Sequence, residues 1–325
     1  NHFLNLKRIF WMNILITGAA GFIGFNFASF LLKRNKSTRV FGVDNLNDYY
    51  SVNLKKKRLK ILKSFKKFKF YKIDISNFND LKKLFEKEKI DVIFNLAAQA
   101  GVRYSMLHPK KYNDYNISGF FNIIELCRLY KIKKIFYASS SSIYGDSNSF
   151  PLKESLELKP KNIYALSKKV NEEMADLYSN LYKIKMTGLR FFTVYGEWGR
   201  PDMFIMKYIV SSIQNKTFYL NNFGNHYRDF TYIKDVNNIL NLLLNSKQKK
   251  GHEILNICSS NPVKITSVIS YLNKLLKKPK VKKLPLQTAD VLKTHGSNSK
   301  LKKIINYNKF TNINDGLLNV CNWVK

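Results

Sequence analysis

A chain of 325 residues, 45% of them hydrophobic, can bury one or two substantial cores, and no apolar run in it approaches the ~20 residues needed to cross a bilayer. Fifty-six Lys and Arg against 22 Asp and Glu give a formal net charge of +34. The surplus is mostly Lys spread along helices, as in Lys55-Lys56-Lys57 and Lys82-Lys83, which disfavours nucleic-acid binding as the main role and leaves a diffuse attraction for small polyanions.

Residues 1–11 are read as an extension without assigned function. An apolar strand follows at 12–17 and a helix at 22–35. Further strands fall at 39–43, 68–73, 91–96 and 133–138, with helices at 79–88 and 110–130. A long helix at 163–182 leads into a strand at 185–189. Short apolar strands alternating with amphipathic helices predict an α/β fold, a Rossmann-type doubly wound parallel sheet covered on both faces. Past Arg190 the pattern is broken by Gly196, Gly199 and Pro201. A helix at about 202–214 follows, and a strand at 253–257 is expected to rejoin the sheet. Segments near 191–230 and 260–325 then form a smaller C-terminal lobe, interleaved with the first. Cys127, Cys258 and Cys321 are odd in number, far apart and set among apolar residues, which fits free thiols in a reducing, cytoplasmic setting. No His or Cys spacing suggests a metal site.

Thr17-Gly18-Ala19-Ala20-Gly21-Phe22-Ile23-Gly24 joins the first strand to the first helix. Glycines here permit a tight turn and close approach of the backbone to a pyrophosphate, which the helix N-terminus attracts. Asp44 ends the second strand 20 residues after Gly24, where an acid bonds ribose hydroxyls and repels a 2′-phosphate, so NAD is expected over NADP. Asp74 and Ile75, after the third strand, are candidates for the adenine edge, with a turn or helix cap as the alternative for Asp74. Asn95-Leu96-Ala97-Ala98 ends the fourth strand in small residues that let a cofactor lie against the sheet.

Tyr164 and Lys168 are four apart on the long helix and so share a face. A cation beside a phenol favours the phenolate, a base usable near neutral pH. Tyr130 and Lys134 repeat the spacing, so context must decide. Taken together, the glycine turn, Asp44, the Asn95–Ala98 run, Asn116 and the Tyr164/Lys168 pair resemble an extended short-chain dehydrogenase/reductase, over essentially the whole chain from Met12.

Three stretches narrow the resemblance to NAD-dependent sugar-nucleotide epimerases, closest to UDP-glucuronate 4-epimerases: Val43-Asp44-Asn45-Leu46-Asn47-Asp48-Tyr49-Tyr50, Ala98-Gln99-Ala100-Gly101-Val102-Arg103-Tyr104-Ser105, and Gly188 through Met203. Glu197 departs from that family, which has Pro before Trp-Gly. The resemblance implies a cofactor site of Gly18, Gly21, Phe22, Ile23, Gly24, Asp44, Asn45, Asp74, Ile75, Leu96, Ala97, Ala98, Asn116, Tyr164 and Lys168. It implies catalysis by Tyr164 and Lys168 with Ser140, four before Tyr144, and Ser141 as the alternative hydroxyl. Lys168 is expected to hold the nicotinamide ribose and depress the pKa of Tyr164. Dehydratases of the superfamily carry an acidic pair at the positions of Ser141 and Ser142, and decarboxylases a Glu at that of Ser142. With hydroxyls at both, reversible oxidation and re-reduction at one carbon is left.

Arg200 offers a planar fork for the carboxylate of a uronate, with Thr193 and Ser142 adding hydroxyl donors; the alternative for Arg200 is an ion pair that only stabilises its loop. The family places Arg228 on the diphosphate and Gln287 and Asp290 at the uridine end. Lys207 is a further candidate for an anionic ligand, with a solvated lysine as its alternative. The resulting expectation is C4 epimerisation of a UDP-sugar, UDP-glucuronate first and a UDP-hexose or UDP-N-acetylhexosamine second. The division expected is an NAD-binding part at 12–190 with returning segments near 231–258, and a mainly substrate-binding part at 191–325. Helices 110–130 and 163–182 would form a homodimer interface, as in the family. A non-catalytic RNA-binding protein is the reading from a different class.

Overall fold

A computed structural model describes residues 11–247, 251–286 and 291–325. Seven parallel strands form the central sheet: β1 (Met12–Thr17), β2 (Thr38–Asp44), β3 (Phe68–Lys72), β4 (Val92–Asn95), β5 (Lys134–Ser140), β6 (Lys185–Phe191) and β10 (His252–Ile257). Their order is β3-β2-β1-β4-β5-β6-β10, so the chain reverses its direction of travel between β1 and β4. That crevice, beyond the carboxyl ends of the strands, is where open α/β sheets bind ligands.

Alternation along each strand sorts side chains into two layers. Ile14 and Ile16 of β1, Phe94 of β4 and Phe136 of β5 enter one layer with α1 (Phe22–Arg34), α2 (Val52–Lys63) and, later in the chain, α9 (Ile233–Asn245). Leu15, Ile93 and Ile135 enter the other, with α3 (Phe78–Lys87), α6 (Gly119–Leu129) and α7 (Ile163–Tyr182). In the first layer Phe27 packs tilted against Phe94, which stacks on Phe136, with ring centroids 4.7 and 4.5 Å apart. Burying side chains of this size contributes roughly 1.5–3 kcal/mol each.

The segment expected as one helix at 110–130 is interrupted. Two short helices, α4 (Val102–Leu107) and α5 (Pro109–Tyr112), lead into a π-helical turn, Asn113–Ser118, before α6 begins. The wider turn carries Asn116 inward, where its amide accepts from Gln99 N at 2.7 Å and donates to Gln99 O at 3.1 Å and Ser167 Oγ at 3.0 Å. Those three bonds explain the local departure from α-helical winding.

Outside the central sheet a three-stranded sheet, β11-β9-β7, is built from β7 (Thr193–Tyr195), β9 (Tyr227–Tyr232) and β11 (Pro262–Lys264). A two-stranded piece pairs β8 (Phe218–Leu220) with β12 (Val281–Lys283). Helices α8 (Phe204–Ile213), α10 (Ile265–Leu275), α11 (Ser299–Ile305) and α12 (Ile313–Val324) complete this part. The return expected at 253–257 is observed as β10, in parallel register with β6. No helix among the described residues is long and apolar enough to cross a membrane.

Candidate active site

A cavity of about 430 Å³ opens at the strand ends of the central sheet. At its sheet end the Thr17 hydroxyl donates to Asn95 Oδ1 at 2.5 Å and accepts from Ala97 N at 3.1 Å, stitching β1 to the loop after β4. The glycine turn fits against this seam. Gly18 has φ +68°, and a Cβ on Gly24 would stand 2.2 Å from the Gly18 carbonyl oxygen. Helices α2, α3 and α7 are capped by the side chains of Ser51, Asn77 and Asn162, whereas α1 starts at Gly21 with no side-chain cap and no acid in its first turn. Its first amides thus face a cavity lined by Gly18, Gly21, Phe22, Ile23 and Gly24, which suits a pyrophosphate.

Asp44 and Asn45 line the same end. The buried Asp44 carboxylate accepts from Ala20 N at 3.0 Å and Leu46 N at 2.8 Å. Burial pushes its pKa up, against those amides and the nearby Lys55 and Arg58. Ile75, Leu96, Ala97 and Ala98 line the cavity too. Two of the expected cofactor contacts do not line the cavity. Asp74 is not a lining residue: its carboxylate caps a turn, accepting from Ser76 N and Oγ at 2.9 and 2.7 Å, and from Asn45 Nδ2 at 2.8 Å. Asn116 is likewise absent from the lining, because its amide is consumed in bracing the loop after β4 against α7.

Tyr164, Lys168 and Ser139 to Ser142 line the middle of the cavity. Ser140 hydrogen-bonds Tyr164, which opposes the rise in the phenol's pKa that burial causes; Arg200's charge opposes it too, yet the net shift is upward. The expected depression of Tyr164 by Lys168 is not found. The Lys168 ammonium instead donates to the Ala138 carbonyl of β5 at 2.8 Å, and burial brings its pKa down to about 8 against the charge of Glu172. Sharing a helix face placed both side chains in one cavity without pairing them. Ser140 Oγ also donates to Ser142 Oγ at 3.0 Å and accepts from Ser142 N at 3.2 Å, so part of the serine run does satisfy its own turn.

Behind the serines lies a buried polar network that no motif announces. Glu172 of α7 takes both Nε and Nη2 of Arg190 at 2.9 and 2.7 Å, and the Ser139 hydroxyl at 2.5 Å. Arg190 donates further to Tyr144 Oη at 2.8 Å, and Tyr144 to Asn256 Oδ1 at 2.7 Å. The net ties β5, β6, β10 and α7 together at the catalytic depth. Spacing holds a signal for Glu172, since it stands one further helical step of four beyond Lys168.

On the substrate side, Ser142, Thr193 and Arg200 line the cavity. Arg200 meets Asp202 in a fork, Nε to Oδ1 at 3.0 Å and Nη2 to Oδ2 at 2.5 Å. Burial works against its charge, but the bonds to Asp202 hold the guanidinium above its ordinary range. Tyr49, from the loop after β2, donates to Asp202 Oδ2 at 3.2 Å. Arg58 of α2 is fully buried and donates to Ala20 O and Tyr50 Oη at 2.8 Å, and to Trp198 O at 2.5 Å. It thereby joins the glycine turn, the loop after β2 and the loop that carries Arg200. Lys55, also buried, lines the cavity and donates to Asn47 O at 2.6 Å and Asn47 Oδ1 at 2.7 Å. Arg228 is outside the lining and donates to the carbonyls of Tyr227 and Leu292. Lys207 is exposed on α8 and also outside it. Gln287 and Asp290 lie outside the described residues.

The model of the NAD dependent epimerase/dehydratase family matches residues 14–258. The chain belongs to this family. Among its relatives, UDP-glucuronate 4-epimerase of Thermodesulfobacterium geofontis is 43% identical, over 96% of this chain and 95% of that protein. The crystal structure of UDP-glucuronic acid 4-epimerase from Bacillus cereus, in complex with UDP-glucuronic acid and NAD, superposes with a TM-score of 0.91 at 32% identity, covering 96% of this chain and 99% of the other. UDP-glucose 4-epimerase of Thermotoga maritima, with UDP-glucose, gives a TM-score of 0.86 at 25% identity, covering 96% and 98%. The protein is an extended short-chain dehydrogenase of the NAD-dependent sugar-nucleotide epimerase type.

Proposed function

We propose that the protein interconverts UDP-glucuronate and UDP-galacturonate by inverting C4. The observation that carries this reading is that Arg200 lines the same cavity as Tyr164 and the hydroxyls of Ser140 to Ser142, with no acidic side chain in the serine run. A carboxylate on the sugar then has a cationic partner, and elimination of water lacks its acid.

NAD is held by the glycine turn, Asp44, Asn45, Ile75 and the Leu96–Ala98 run; when bound it supplies the acceptor and donor of hydride at C4 and, oxidised, a positive charge. Tyr164 takes the proton of the 4-hydroxyl, and Ser140, which lines the cavity beside it, holds the substrate oxygen. Lys168 keeps a cation at the buried end of the cavity, where it would hold the nicotinamide ribose. The 4-keto sugar turns about its diphosphate linkage and presents its other face, and Tyr164 returns the proton. Arg200, Thr193 and Ser142 hold the uronate carboxylate through both orientations, keeping the C5–C6 bond out of line with the ketone so that the β-keto acid does not lose carbon dioxide.

The substrate-binding part is 191–325 and the cofactor part 12–190, with returning segments near 231–258. A second copy of the chain would cover the apolar side chains exposed on α6 and α7, among them Phe121, Leu177 and Leu181; light scattering should return a dimer mass. A neutral UDP-hexose is the second reading, supported by Asp202 already occupying Arg200. Separate incubations with UDP-glucuronate and UDP-glucose, followed by NMR of the products, decide between them. Conversion of UDP-glucose alone would overturn the uronate reading.

A further inference from the structure

Arg200 enters the cavity from a loop, where a long side chain would ordinarily sample many rotamers and lose that freedom on binding. Here it is already fixed. A guanidinium has five N–H donors in a rigid plane, and Asp202 engages only the edge formed by Nε and one Nη2 proton. Nη1 takes no part in that fork. Arg200 lines the cavity, whereas Asp202 does not.

Asp202 is itself held from two directions. Pro201 stands between the pair and restricts the backbone at both Arg200 and its own position. Tyr49, which lines the cavity, donates its hydroxyl to Asp202 Oδ2 at 3.2 Å. Arg58 fixes the carbonyl of Trp198 two residues before Arg200. The fork therefore rests on the loop after β2, the same loop that begins at Asp44.

We infer that Asp202, braced by Tyr49, is a positioning residue for uronate specificity: it holds one edge of Arg200 and leaves the Nη1 end presented to the substrate carboxylate. This inference rests on the uronate reading above. The competing role is that Asp202 is merely the resting counter-ion, displaced from Arg200 when a substrate carboxylate arrives. The two roles have opposite signs. A positioning residue helps the uronate bind and stay aligned, while a displaced counter-ion competes with it.

Alignment has its own chemical readout. If the carboxylate swings into line with the C4 ketone, the C5–C6 bond breaks and carbon dioxide leaves. The electron pair remains as an enolate over C5 and C4, which takes a proton at C5 to give a UDP-4-keto-pentose. Release of the carboxylate's carbon therefore reports a loose clamp and is not produced by general loss of activity.

The test uses the holoenzyme and the variants Asp202→Asn and Tyr49→Phe. NMR measures the C5-decarboxylated product per molecule of 4-epimer formed from UDP-glucuronate. Calorimetry measures binding of UDP and of UDP-glucuronate, each in a Tyr164→Phe background that prevents turnover. Asp202→Asn should raise the decarboxylated fraction about fivefold or more and weaken UDP-glucuronate about tenfold, with UDP unchanged, as expected for a charge-assisted contact half undone. Tyr49→Phe should move both in the same direction by about two- to threefold. Tighter binding of UDP-glucuronate by Asp202→Asn, or an unchanged product ratio, overturns the inference while leaving the uronate reading intact. A wild-type enzyme inert toward UDP-glucuronate overturns both. Should Asp202→Asn fail to fold, Tyr49→Phe decides alone, and a wild-type product ratio in that variant counts against the inference.

Discussion

The two ends of the cavity are built in different ways. The cofactor end is a set of backbone turns: Gly18 to Gly24, the Asp44 carboxylate on two amides, and the small residues after β4. The substrate end is assembled from side chains distant in sequence, with Tyr49 reaching Asp202 and Arg58 reaching Trp198 across 153 and 140 residues. A turn of glycines accepts any dinucleotide of the right shape, whereas a set of long-range pairs specifies one substrate. The first end carries what the family shares, and the proposed substrate preference rests on the second.

The sharpest way to break this division is at the chemistry both ends share. Tyr164→Phe should lower kcat by about 10³-fold while bound NAD, measured in denatured extracts, is unchanged. Arg200→Ala should reduce kcat/KM for UDP-glucuronate by about 30- to 300-fold, the scale of a lost charge-assisted fork. NAD content should again be unchanged, since Arg200 belongs to the substrate end. Asp44→Asn should do the reverse, lowering NAD retention about tenfold and narrowing the preference over NADP, with KM for the sugar nucleotide little altered.

A pH profile sharpens the comparison by the smallest effect. Lys168 is protonated below about 8 and neutral above it. Because its folded pKa is lowered, the cation is lost as pH rises through that value. The kcat/KM profile, which reports the free enzyme, should fall about tenfold per unit above that point. Lys168→Arg, whose guanidinium does not titrate there, should lack the limb at whatever lower activity it retains. A limb unchanged in that variant would assign the titration elsewhere.

The fold was legible because period and punctuation agree. Alternation at Ile14, Leu15 and Ile16 sorts the two layers, and the helix from Ile163 to Tyr182 has the bounds expected for it. The single helix expected at 110–130 failed where three hydrogen bonds from Asn116 favoured a π-turn over regular winding. At the site, spacing brought Tyr164 and Lys168 into one cavity, but it carries no information on which way an ammonium turns once buried, and Lys168 turned to Ala138. Arg58 and Lys55 are the clearest loss. They sit in a run of lysines that reads as a solvated face, yet the buried stripe of α2 is Lys55, Arg58, Leu59 and Leu62. That stripe follows helical spacing, so the signal is present; composition conceals it. The partners of Arg58 and of Asp202 are unreadable from one sequence because each pair closes only in the folded chain.

The most direct test of the central claim uses UDP-glucuronate carrying deuterium at C4, incubated with the holoenzyme in ordinary water. Removal and return of hydride at that one carbon predicts UDP-galacturonate that keeps the deuterium at C4, with the carboxylate intact. Label washed out to solvent, or a decarboxylated pentose as the main product, would contradict the account.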